Sequence, residues 1–277
     1  MLGDNGTEGG ITTDMSMLTT LHHAALAEHG FCVVQNVLAP DACAEVRAQL
    51  IAASAESQRR GTPTWIESLD PNDRNIRVFG LLDLDPVFRE LIVHPIALDA
   101  VRSVIGASFI ISNFTANIEL PGSGSMAVHS DQALVIPEPW HAPWAVNVIW
   151  CLDRVHEANG ATRYLPGSHR ARCHADIPDD AIRQTVPFEA PAGAVIVMDG
   201  RLWHTSGRNV TTNEQRALLF AYYTRDFIRP QVNWNATLSA EVQAGIDPAL
   251  HAWLGLGPSA NTSTAAPIVS RIPDRLS

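Results

Sequence analysis

Apolar and polar positions along the chain follow two different periods. Residues 17–30, "MLTTLHHAALAEHG", repeat with helical spacing and stop at Gly30, a residue suited to a helix C-terminus. A β-rich run, "FCVVQNVL", follows. The segment "APDACAEVRAQLIAASAESQRRG" (39–61) predicts an amphipathic helix with Pro40 in its first turn and Gly61 past its end. "DPVFRELIVHPIALDAVRSVIG" (85–106) predicts two further short helices. From residue 108 the texture changes to short strands punctuated by Gly, Pro and Asn: "SFIISNFTANIEL", "MAVHSD", "AVNVIWCL", "ATRYL", "GAVIVMD", "LWHTSG" and "RALLFAYYT". A last helix is expected near "LSAEVQAGI". Helices first and many short strands afterwards predict a mainly β sandwich or barrel with flanking N-terminal helices. Residues 1–14 read as disordered, 15–256 as one domain without repeat or linker, and 257–277 as a mobile tail.

Composition narrows the function classes. At 277 residues, 46% of them hydrophobic and 17% charged, the chain has material for a sizeable core. The net charge is −10, and all 19 basic residues are arginine. An acidic surface without basic clusters argues against nucleic-acid or anionic-membrane partners. Cys32, Cys43, Cys151 and Cys173 have no CxxC spacing, the polar start is not a secretory leader, and no apolar run has membrane-spanning length. These features predict a cytoplasmic protein with reduced thiols. The pattern does not specify oligomeric state and is compatible with a homodimer.

The candidate chemistry starts in "SMAVHSDQALVIPEPWHAPW", residues 125–144. If "AVHSD" is extended, His129 and Asp131 project to one face while Ser130 faces away. For a lone HxD the commoner explanation is a histidine hydrogen-bonded to a carboxylate. His204, on another β-like segment, changes the balance, because two histidines and one carboxylate on one face are the facial triad of non-haem Fe(II) oxygenases. Arg216 opens the strand that follows and is suited to clamp a carboxylate, although a surface arginine is the plainer reading. Trp140 and Trp144 sit in a proline-rich flap directly after the ligand pair, where a substrate wall and plain packing compete. The other histidines, His169 in its turn among them, and Cys151 have no partnered spacing and read as structural.

The ordered set His129-x-Asp131, "NGATRYLPGSH" (159–169), His204 and Arg216 resembles the phytanoyl-CoA dioxygenase family, and the resemblance runs from "HGFCVVQNVLAPD" to "TRDFIRPQVNW". It implies a double-stranded β-helix, a jelly-roll related to the cupins. It implies an enzyme dependent on Fe(II), 2-oxoglutarate and O2, of the natural-product rather than the acyl-CoA type. By the same resemblance His129, Asp131 and His204 are the iron ligands, Arg216 binds the distal carboxylate of 2-oxoglutarate, and Thr162 helps to hold it. Arg77 resembles an arginine that reaches the co-substrate in some relatives, with Arg74 as its neighbour. Where many relatives carry glutamine, this chain has Met126, so Asn113, Thr115 or Asn117 becomes the expected polar anchor. Hydroxylation, desaturation, epoxidation or rearrangement of a largely apolar molecule is the implied reaction. Halogenases of this fold lack the carboxylate ligand, which Asp131 supplies here. The alternatives are a cupin-like metal enzyme without redox chemistry, such as an isomerase, and a non-catalytic ligand-binding jelly roll.

Overall fold

A computed structural model describes residues 17–257, so the expected disordered start and the tail beyond Gly257 lie outside the described residues. Helix α1 (Thr20–His29) begins with a capping box between Thr19 and His22 and ends at Gly30. Gly30 has φ +78, and a Cβ there would stand 2.6 Å from the His169 ring, so both conformation and space call for glycine. Helices α2 (Pro40–Arg59), α4 (Pro86–Ile92) and α5 (Pro95–Ile105) each carry proline in the first turn, where its missing N–H is no loss. A four-residue helix, α3 (Leu81–Leu84), precedes α4. In α5 the buried residues Ile96, Ala97, Ala100, Val101 and Ile105 recur with helical spacing, and this face packs on the sheet.

The strands, in chain order, are β1 (Phe31–Val34), β2 (Asn75–Val78), β3 (Phe109–Glu119), β4 (Ala145–Cys151), β5 (Thr162–Tyr164), β6 (Val186–Pro187), β7 (Val195–Asp199), β8 (His204–Ser206) and β9 (Arg216–Arg225). One antiparallel sheet has the order β1-β7-β4-β9-β3-β2, and a smaller one has the order β6-β5-β8. Short helices α6 (Ala181–Gln184), α7 (Trp234–Thr237), α8 (Ala240–Gly245) and α9 (Pro248–Trp253) complete the described chain. The helical start and the β-rich remainder are as the periodicity predicts.

Side-chain alternation sets the layers. On β4, Val146, Val148 and Trp150 join the core shared with the helices, whereas Ile149 and Cys151 join a second core with Ile196, Met198, Leu218, Phe188 and Ala161. Both faces are therefore covered, which accounts for the near-continuous apolar run "AVNVIWC". On β3 the same parity sends Phe114, Ala116 and Ile118 into the helix-side core. Asn113, Thr115 and Asn117 face the opposite way and line a cavity.

Two expectations need correction. "MAVHSD" is not a strand: His129 makes an isolated antiparallel bridge with His204, through N–H···O bonds of 2.9 and 2.8 Å in the two directions. The chain turns at once after it, because the Ser130 hydroxyl and the Gln132 N–H both donate to the Gly200 carbonyl, each at 2.8 Å. Strand β2 was not expected, since "NIRV" is a four-residue run flanked by irregular polar sequence.

Candidate metal centre

The bridge brings His129 and His204 together, and Asp131 completes a cluster whose ligand atoms all lie within 4.8 Å of one another. Asp131 Oδ1 stands 3.7 Å from His129 Nε2 and 3.8 Å from His204 Nε2. Each imidazole is oriented from behind. His129 Nδ1 is 3.0 Å from the Ala127 carbonyl, and His204 Nδ1 is 3.0 Å from the Leu202 carbonyl. A carbonyl only accepts, so both Nδ1 atoms carry a proton, and the two Nε2 atoms are the ones turned toward Asp131. Burial lowers the His204 pKa, against the pull of Asp131, which keeps this ring neutral. Asp131 is held as well: Asn147 Nδ2 donates to its carboxylate Oδ2 at 3.0 Å, and the Tyr222 hydroxyl donates to its main-chain carbonyl at 3.1 Å. Two imidazoles and one carboxylate on one side of a cavity suit Fe(II) with coordination positions left open.

That cavity, about 440 Å³, is lined by the three candidate ligands together with the polar or sulfur-bearing Arg77, Met126 and Thr162 and the apolar Leu69, Phe79, Leu134 and Phe220. Arg216 reaches it from the first residue of β9 and is buried. Its Nε and Nη2 donate to the Gly160 carbonyl at 3.1 and 2.6 Å, and Nη2 lies 3.3 Å from Glu119 Oε1. Gly160 has φ +86, a conformation that favours glycine and aims this carbonyl. Arg216 Nη1 is buried with no partner. A guanidinium N–H left unpaired beside a cavity is strongly unfavourable until an acceptor arrives, so the residues present fit an anionic ligand. Nε and Nη2 are committed to the Gly160 carbonyl, and Nη1 is the nitrogen that remains.

The other predicted residues divide. Thr162, Asn113, Thr115, Asn117 and Met126 line the cavity, and Asn117 Oδ1 is a buried acceptor without a partner. Arg77 also lines it, with Nε on Asp70 at 2.7 Å and Nη2 3.0 Å from the Met126 sulfur. Arg74 is exposed and not part of the lining. Asn113 donates to Gln231 Oε1 at 3.1 Å. Neither tryptophan of the flap reaches the cavity. Trp140 is 3% exposed, donates its indole N–H to the Ile136 carbonyl at 2.8 Å, and packs with Trp203. Trp144 meets Phe227 edge-on. The buried Gln132 side chain folds the flap on itself through Ala142 and the Trp144 N–H, and Leu134 is the flap residue that faces the cavity. Trp140→Ala is therefore expected to lower stability by about 3–5 kcal/mol, measured by denaturant unfolding. The KM for the substrate should be unchanged in the folded variant, and a selective rise in it without loss of stability would restore the wall.

The residues missed by the sequence reading include Asn147, Tyr222, Phe220, Leu69 and Phe79. The signal for Asn147 was present, a single amide inside an apolar strand.

Residues 26–217 match the sequence profile of the phytanoyl-CoA dioxygenase (PhyH) family. A relative from Aspergillus fumigatus, dioxygenase af480, is 47% identical over 246 residues, covering 89% of this chain and 80% of its own. The solved structure of SnoK, a non-haem α-ketoglutarate-dependent carbocyclase from nogalamycin biosynthesis, is similar with a TM-score of 0.64 at 23% identity, covering 82% of this chain and 92% of its own. HygX from Streptomyces hygroscopicus, solved with nickel and 2-oxoglutarate bound, is similar with a TM-score of 0.62 at 18% identity, covering 77% and 89%.

Proposed function

This chain belongs to the phytanoyl-CoA dioxygenase family, and on that premise we propose an Fe(II)- and 2-oxoglutarate-dependent dioxygenase that oxidises a largely apolar small molecule in secondary metabolism. The observation that carries the reading is the unpartnered Nη1 of buried Arg216, on the same cavity as the His129–Asp131–His204 face. In this reading the two sheets are the walls of a double-stranded β-helix, supported by a cavity lined from both, by Thr162 and His204 of the small sheet and by Asn117, Asn147 and Arg216 of the large one.

His129, Asp131 and His204 would hold iron, and Arg216 Nη1 with the Thr162 hydroxyl would take the distal carboxylate of 2-oxoglutarate. Bound there with dioxygen, iron and the keto acid supply an oxidant strong enough to remove hydrogen from a C–H bond, with succinate and carbon dioxide as by-products. The chain's own work is placement. The Ala127 and Leu202 carbonyls keep both Nε2 lone pairs aimed inward. Leu69, Phe79, Leu134 and Phe220 offer an apolar wall that excludes water and holds the substrate by burial. The Asn113–Gln231 pair sets a polar edge on the same cavity.

Anaerobic addition of Fe(II) and 2-oxoglutarate tests the reading directly. A weak visible charge-transfer band is expected, followed on aeration by succinate release that a substrate accelerates. Absence of the band in metal-loaded protein would favour an isomerase or a ligand-binding jelly roll. Asp131 would take the position that halogenases of this fold leave without a carboxylate. Reactions run in chloride and in bromide are expected to give products without halogen, and a halide-dependent mass shift by mass spectrometry would contradict this.

A further inference from the structure

Strand β4 is buried from Ala145 to Cys151 and carries one amide, Asn147, between Met198 of β7 and Tyr222 of β9. A buried amide is unfavourable unless both of its ends are used. Nδ2 is used, 3.0 Å from Asp131 Oδ2. An ionised carboxylate only accepts, so the NH2 end must lie there and the carbonyl end must point elsewhere. That carbonyl oxygen is buried with no hydrogen-bond partner, on a residue that lines the cavity. The fold alone gives no reason for an amide at this position.

The two oxygens of Asp131 are thus in different situations. Oδ2 is occupied by Asn147, and Oδ1 is the one that faces both histidines, at 3.7 and 3.8 Å. We propose that Asn147 is a positioning residue for Asp131: it engages Oδ2, so that the carboxylate meets the metal through Oδ1 alone. The coordination position that a two-oxygen carboxylate would take then stays open for co-substrate or dioxygen. This rests on the metal-site reading above.

The test is binding of Co(II) alone, followed by visible absorption, in the wild-type protein and in Asn147→Leu and Asn147→Ala. Loss of a hydrogen bond behind a metal ligand typically weakens metal affinity by about 10–100-fold, and that is the fall expected. The d–d spectrum of bound Co(II) should also change, as Asp131 becomes free to chelate with both oxygens. Thermal unfolding of the metal-free protein should change little in Asn147→Leu, because removal of the unpaired buried carbonyl offsets the hydrogen bond lost by Asp131 Oδ2. A folded variant with wild-type affinity and spectrum would overturn the proposal. So would a loss of metal-free stability in both variants with no spectral change, since that is the signature of a packing role. If the wild-type protein itself bound no Co(II), the metal-site reading would fail before this one was reached.

Discussion

His204→Ala is expected to abolish turnover and to weaken Fe(II) binding by more than the ~10–100-fold associated with an outer partner of a ligand. The residue contributes one of three donors, and its ring is buried with Nδ1 committed to the Leu202 carbonyl. Its backbone also closes the bridge to His129, and that pairing survives substitution because it is made by main-chain atoms. The variant should therefore fold with an intact second ligand in place, and the loss should be read as chemistry. His129→Ala follows the same logic with a smaller effect, since that side chain is 25% exposed against 7% for His204 and water can stand in more easily. Equilibrium dialysis under nitrogen, with metal analysis and the unfolding midpoint of the metal-free protein, separates binding from folding. Full metal content and activity in either variant would remove the assignment.

The second large effect concerns Arg216. Losing a charge-assisted bond while its partner charge stays buried typically costs about 2–5 kcal/mol. At about 1.4 kcal/mol per tenfold, the KM for 2-oxoglutarate should rise at least ten-fold in Arg216→Ala. Arg216→Lys should fall between, because an ammonium cannot both hold the Gly160 carbonyl and present Nη1. Pyruvate, which lacks the distal carboxylate, should lose its disadvantage relative to 2-oxoglutarate in the alanine variant. Burial raises the Glu119 pKa and Arg216 opposes that rise, so removing the arginine raises it further. A carboxyl whose folded pKa is raised is most stable protonated, and stability falls as pH climbs through that value. Arg216→Ala should accordingly lose stability as pH rises above the ordinary carboxylate range and regain it on acidification. Breaking one half of a buried pair typically costs about 3–5 kcal/mol, so the double variant Arg216→Ala/Glu119→Gln is the form in which to measure KM. A folded, metal-binding double variant with wild-type KM for 2-oxoglutarate would place the clamp elsewhere, with Arg77 the first residue to examine.

How much of this was readable in the chain depends on the range of the signal. His129-x-Asp131 is a local pattern, and its two-residue spacing puts both side chains on one side although the segment makes only a single bridge. Arg216 was legible as the first residue of a strong strand pattern, but which of its nitrogens stays free depends on Gly160, 56 positions away. The flap shows the limit most clearly. Tryptophan content suggests a wall, yet a loop has no period, and the direction of Trp140 is set by the Ile136 carbonyl and by Trp203. Leu69 and Phe79 come from a stretch that mixes turns with one four-residue strand, and nothing in their order marks them as facing the cavity.

The parity of β3 has a consequence for how such a chain diversifies. Phe114, Ala116 and Ile118 are bound into the core with the helices, so change there is felt by the whole domain. Asn113, Thr115 and Asn117, one residue away in each case, face open volume. Substitution on that side alters what the cavity recognises while leaving the packing beneath it untouched. Selection for a new substrate can therefore act on alternate codons of a single strand, and the same strand continues to fold.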